Sequence, residues 1–259
     1  MADPAPSFPL SEPNYANKRA RDFSAFADAL AAFPVARARI FDLVLADAAI
    51  PAIQRLIDAG ELTSTELVTF YVDRIRRYDL DKLNAVLELN PNALADAAAA
   101  DELRAAGTQL GPMHGIPVLL KDNIATGDGL HATAGAYALK DWRPDRDAFL
   151  VQQLRTAGAI ILGKTNLSEW GYYMGPSMPN GDSTLGGQTR NPCGPFDPLG
   201  SSSGTAVAAA ANFVTDTIGS ETQGSNNSPA RANAIVGHKP SHGLERGDYE
   251  IPQVDWIDV

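Results

Sequence analysis

The sequence predicts an α/β fold on three observations. Short apolar runs flanked by Gly and Pro fall at 116–120 and 159–162, too brief for helices and continuous enough for strands buried on both faces. A helix-patterned segment, 147–157, lies between them, and this strand, helix, strand order implies a sheet with much parallel pairing. The first part of the chain, to about residue 106, repeats its apolar residues at the helical period instead. In such sheets, sites gather beyond the carboxyl ends of the strands.

The elements follow in order. After an arm rich in Pro and Ala, Thr63 and Glu66 make a capping box, and Leu67, Val68, Tyr71, Val72 and Ile75 share one face of the helix it opens. Leu94, Ala97, Ala98 and Leu103 form a second apolar face, ended by Gly107. The strand at 116–120 carries Lys121 to its carboxyl end, Gly158 closes the helix at 147–157, and the strand at 159–162 follows. From about 171 to 204 the chain is rich in Gly, Pro, Asn and Ser and reads as a loop before an alanine-rich helix. "VTDTIGSETQGS", from Val214 to Ser225, reads as a third strand running into a glycine turn. Together they predict one domain over 1–259, with a helical N-terminal region of about 1–106 and an α/β core of about 107–259.

The 259 residues, 44% apolar and 20% charged, are ordinary for a soluble globular protein with one large core or two modest ones. Acidic side chains outnumber basic ones, 31 to 21, and the basic residues form no run, which argues against nucleic acid or anionic lipid as partners. Cys193 is the only cysteine, so an internal disulfide and a cysteine-based zinc site are excluded and a reducing compartment fits. The opening residues lack the apolar core of a signal peptide, and no run approaches bilayer length, so the expectation is a cytoplasmic protein without a membrane anchor.

Two motifs match well-known patterns by letter alone. "GAIILGKT", from Gly158 to Thr165, fits the phosphate loop, but its variable positions are Ala, Ile, Ile and Leu, which read as the strand itself with Lys164 at its end. "GSSSG", around Ser202, fits the nucleophile elbow, with His238 and His242 downstream. That elbow needs a strand entering the serine, and "NPCGPFDPLG" just upstream, broken by prolines and glycines, cannot supply one. The same stretch also reads as an N-cap and loop ahead of the helix. Standing alone, Lys121 reads equally as a strand-end lysine laying its stem over apolar neighbours.

A third pattern spans the chain. "HGIPVLLKDN", "GKTNLSEW", "GGQTRNP", "GSSSGTAVA" and "GSETQGS" occur in this order, and from about Ala48 onward the chain closely resembles the amidase signature family, in particular its peptide amidase and aryl acylamidase-like branch. The resemblance implies a mixed sheet with surrounding helices and a hydrolase of amide bonds, in some members also of esters or carbamates (urethanes), with no cofactor and no metal. It implies a Ser–cisSer–Lys triad in which Ser225 is the nucleophile that forms an acyl-enzyme, Ser201, preceded by a cis peptide, is the bridge, and Lys121 is the base. The N–H groups of Thr222, Gln223, Gly224 and Ser225 match its oxyanion hole, Ser202 matches a serine that bonds the lysine, and Asp122 and Asn191 fall in motifs that brace the site. A serine hydroxyl is a weak nucleophile until a neighbour takes its proton, and a second hydroxyl can relay that proton because it both donates and accepts. For Lys121 to act as base its pKa must come down from about 10.4 to near 7, which burial behind "IPVLL" could supply.

The chain departs from the family pattern at its carboxyl side. Polar residues Asn226, Asn227, His238, Glu250 and Gln253 stand where related sequences are usually apolar, and the family's further strands have no counterpart after Val259. The expectation is a C-terminally shortened domain whose polar replacements lie exposed, with self-association through the shortened face. Two rival readings are a shortened scaffold or binding module with little activity, and an amidotransferase-type subunit that needs partners. Tyr172, Tyr173 and Met174 are candidates for an apolar entrance to the site, and for packing alone.

Overall fold

The computed structural model describes residues 19–173, 175, 177–241 and 248–251. Met174, His242 and Gln253, named above, lie outside the described residues. The chain begins with helices α1 (Ala27–Ala32), α2 (Val35–Val44), α3 (Ile50–Asp58) and α4 (Ser64–Tyr78). The capping box opens α4: the Glu66 N–H donates to Thr63 Oγ1 at 3.0 Å, and the Thr63 N–H donates to the Glu66 carboxylate at 3.2 Å. Leu67, Val68, Tyr71, Val72 and Ile75 are all fully buried, as the apolar face requires.

The N-terminal region is not helical throughout. Strand β1 (Val86–Leu89) lies within it, running antiparallel to β3 (Ile160–Thr165), and only then comes helix α5 (Ala93–Ala105). The run "AVLEL" is short, apolar except for Glu88, and bracketed by Asn84 and Asn90. Asn84 turns the chain at φ 57°, and the Asn90 side chain donates to Ile161 O of β3 at 2.9 Å, so side-chain chemistry at both ends favours a strand over a continued helix.

Strand β2 (Pro117–Lys121) runs parallel to β3 and to β6 (Asp216–Ile218), giving the order β1, β3, β2, β6. The sheet is therefore mixed, with β1 pairing antiparallel at one edge. Helix α6 (Phe149–Thr156) makes the crossover from β2 to β3, and Gly158 follows it with φ 89°. β3 extends to Thr165, beyond the apolar run, and Lys164 lies inside it. The phosphate-loop letters are thus a sheet strand. Within the long loop a two-residue pair, β4 (Asp182–Ser183) with β5 (Gly187–Gln188), forms a small hairpin, and helices α7 (Ser203–Ala210) and α8 (Asn227–Ala232) complete the fold.

Both faces of the sheet are covered. Leu119, Ile160 and Leu162 pack with Phe70, Ala97 and Val207 on the α4, α5 and α7 side, whereas Val118, Leu120 and Ile161 pack with Val151 of α6 on the other. Each of the buried Leu, Ile and Val side chains among them contributes about 1.5–3 kcal/mol relative to exposure. Lys121, the last residue of β2, emerges from this dry sheet, and the start of α7 and the turn after β6 close over it.

Candidate active site

Lys121 is 2% exposed, and its Nζ lies 2.8 Å from Ser201 Oγ, 3.0 Å from Ser220 O and 3.0 Å from Ser220 Oγ. These three partners suit either protonation state. An ammonium would donate to all of them, whereas a neutral amine would donate two N–H groups to Ser220 and accept the Ser201 hydroxyl proton on its lone pair. Ser220 can take part because Asn123 holds it: Asn123 Nδ2 is 2.9 Å and Oδ1 3.2 Å from Ser220 Oγ. Neither Ser220 nor Asn123 stands out in the sequence, although both sit inside the quoted motifs "KDN" and "GSETQGS"; a small hydroxyl at a strand end opposite a lysine was the available signal.

Ser201 follows a cis peptide bond from Gly200, and its carbonyl accepts the Ser168 N–H at 3.0 Å. Gly204 is required by proximity. A Cβ there would lie 2.4 Å from both Ala85 O and Asn166 O, so α7 starts hard against the backbone leading into β1 and out of β3. No strand enters Ser202, which removes the nucleophile-elbow reading. Ser202 Oγ lies 3.1 Å from Ser220 O and 3.0 Å from Asn226 Oδ1, and its N–H donates to Ser225 O at 3.0 Å. It therefore meets Lys121 through the Ser220 carbonyl they share.

The turn after β6 is shaped by Glu221. Its Oε2 accepts the N–H groups of Asn226 at 2.7 Å and Asn227 at 2.9 Å, at the start of α8. Burial pushes the Glu221 carboxyl up, but the N–H groups of Asn227, Asn226 and Gly224 and the Lys239 ammonium outweigh it and hold it below the usual carboxylate range. Gly224 supplies the left-handed bend at φ 79°, and Ser225, 8% exposed, comes next. Among the described residues, neither the Gln223 nor the Ser225 N–H donates to a backbone carbonyl. Lys121, Ser201 and Ser225 line one cavity of about 10 Å3 with Asn123, Gly171, Ser220, Thr222 and Ile251, which is room for roughly one water.

The other candidates lie outside that cavity's lining. Asp122 is wholly buried and accepts the N–H groups of Thr133 at 3.1 Å and Gly135 at 3.2 Å. Burial pushes its carboxyl up to about 6, against the opposing pull of Lys164, Thr133 and Gly135. Asn191 ties the loop to α8 by donating to Ala232 O at 2.8 Å. Tyr172 is half-buried and Tyr173 is 76% exposed, and it is Gly171 beside them that reaches the cavity. Of the polar replacements, Asn227 and His238 are exposed and Asn226 and Glu250 half-buried. A larger cavity of about 420 Å3 lies beside β6 and touches Ser202 and Asn226, away from Lys121.

Known proteins share this arrangement of elements. The sequence profile of the amidase family matches residues 66–245. A probable amidase of Arabidopsis thaliana is 45% identical over 201 residues, 76% of this chain and 39% of that protein. The native peptide amidase of Stenotrophomonas maltophilia superposes with a TM-score of 0.80 at 48% identity, covering 83% of this chain and 44% of the other. An amidase family protein from Bacillus anthracis gives 0.89 at 36% identity, with 98% and 50% covered. The chain spans 39% of the length of such curated relatives. A profile match across most of the chain and this superposition lead to one conclusion: the chain belongs to the amidase family.

Proposed function

We propose that the protein hydrolyses amide C–N bonds of small molecules, and by the same chemistry esters or carbamates, as one amidase domain of the cytoplasm. The observation that carries this reading is the 2.8 Å contact between the buried Lys121 amine and Ser201 Oγ in a cavity that Ser225 also lines. Burial disfavours the charged form of an amine, which leaves a lone pair for proton transfer.

The neutral Lys121 amine takes the Ser201 proton while Ser201 takes that of Ser225, and Ser225 Oγ attacks the substrate carbonyl carbon. The oxyanion that forms is met by N–H groups of the 222–225 turn, each worth about 3–4 kcal/mol in the transition state. The C–N bond then breaks as the relay returns a proton to the leaving nitrogen, giving an amine and an acyl ester on Ser225. Water attacks this ester, its proton passes to the relay, and the acid departs with Ser225 restored. Ser220 and Asn123 orient the amine throughout. Among the described residues no helix is long and apolar enough to cross a membrane.

A hydrolysis screen over short peptide amides, anilides and carbamates tests the reading. Turnover of at least one class, abolished in Ser225→Ala without a change in unfolding temperature, is the expected result, and turnover that survives the substitution contradicts it.

A further inference from the structure

Lys164 is a fully buried cation that the proposed chemistry does not use. In the parallel register Leu120 pairs with Lys164 and Lys121 with Thr165, so the two lysines leave opposite faces of the sheet. Lys121 reaches toward α7, as does Thr165, whose Oγ1 is 2.7 Å from Thr205 Oγ1. Lys164 points the other way, where Leu120 and Ile124 pack with α6, and its Nζ donates to Ile124 O.

That carbonyl belongs to the turn that follows β2. The Ile124 N–H donates to Lys121 O at 3.0 Å, closing residues 121–124 into a turn. From the near side of this turn Lys121 and Asn123 converge on Ser220; on the far side Asp122 and Ile124 are buried. We propose that Lys164 is a positioning residue for the reaction, clamping the 121–124 turn from behind so that the Lys121 amine and Asn123 amide meet Ser220 in register. The inference rests on the amide-hydrolase reading of Lys121.

Electrostatics favour the clamp. Burial pulls Lys164 below its ordinary value, and Asp122 is the strongest charge opposing that fall, ahead of Asp128, Glu88 and Asp147. Asp122 is itself wholly buried, so neither charge has water to compensate it, and Lys164 is the strongest influence favouring the ionised Asp122 carboxylate, ahead of Thr133 and Gly135. Asp122 also fastens the turn sideways: its backbone carbonyl accepts the N–H groups of Thr133 at 2.9 Å and Ala134 at 3.2 Å. The Ala134 carbonyl in turn accepts the Trp170 N–H at 2.9 Å, next to Gly171 of the active cavity. Lys164 thus holds one end of a continuous path of hydrogen bonds to two walls of the site.

Lys164→Met alone strands the Asp122 carboxylate in the core and is liable to unfold, so the Lys164→Met/Asp122→Asn double variant carries the test. Two readouts are made on the full chain: its crystal structure, and the rate at which a fluorophosphonate probe modifies Ser225. The expected results are an unfolding temperature near that of the wild type, Asn123 and Lys121 displaced beyond hydrogen-bond reach of Ser220, and probe reaction slowed about a hundredfold, the size associated with a 1 Å misplacement. Persistence of the 2.9 Å and 3.0 Å contacts to Ser220 Oγ overturns the proposal, as does an unchanged rate in a chain whose wild type reacts. A wild type that fails to react refutes the hydrolase reading instead, and the crystal comparison still decides the role of Lys164.

Discussion

Burial raises the Asp122 carboxyl to about 6, from an ordinary 3.8, because the Lys164 ammonium and the Thr133 and Gly135 groups only partly offset the loss of water. Between these two values the folded chain binds a proton that the unfolded chain has released. Stability from this group therefore falls as pH rises through the window and stays reduced above it, by up to about 3 kcal/mol. Urea unfolding across the window should show Asp122→Asn removing this contribution, so that wild type minus variant slopes downward with pH; a flat difference contradicts the assignment. Glu221 acts with the opposite sign, since its carboxyl is held low, which is why the difference between proteins is the informative quantity. At this scale the sequence marked Lys121, Ser201 and Ser225 through ordered motifs, whereas Ser220, Asn123 and Glu221 escaped notice. Their roles come from geometry: Ser220 matters because two chain segments bring Asn123 and Lys121 to its hydroxyl.

Among elements, α7 is constrained by close backbone approach. Its first turn begins with Ser203 and Gly204, and the absence of a side chain at Gly204 lets it contact Ala85 O and Asn166 O directly. Gly204→Ala should cost about 1–3 kcal/mol through overpacking, read as a lower denaturation midpoint with an unchanged slope. A stability equal to wild type would mean that α7 can back away from β1 and β3. Helix α4 and strands β2 and β3 were legible because their patterns are local: a capping box, a 3.6-residue apolar repeat, and short apolar runs beside Gly and Pro. Strand β1 was not, since four residues between helices carry too little periodicity and its identity depends on pairing with β3, more than seventy residues away. The same limit shortened β6, where only Asp216–Ile218 of the longer predicted run pair with β2.

Across the whole molecule, the sheet is lopsided. Among the described residues β6 has a hydrogen-bonded neighbour on its β2 side alone, its residues are half-buried, and Val236 nearby is 97% exposed. An open strand edge invites pairing with another strand. Self-association across β6 should appear in sedimentation velocity as a coefficient that climbs with concentration, and a monomer at every concentration contradicts it. The general architecture, a mixed sheet under helices, followed from the order of segments; the choice of edge did not, because it is settled by contacts between distant strands. What the fold does with that sheet is bring the buried Lys121 amine, the Ser201 hydroxyl and the turn that carries Ser225 to one small cavity. The most direct measurement of that claim is the mass-spectrometric location of a fluorophosphonate adduct on the full chain, with Lys121→Met as comparison. The account expects a single adduct on Ser225 that forms rapidly in the wild type and is nearly lost in the variant; an adduct on another residue, or equal reaction without Lys121, contradicts it.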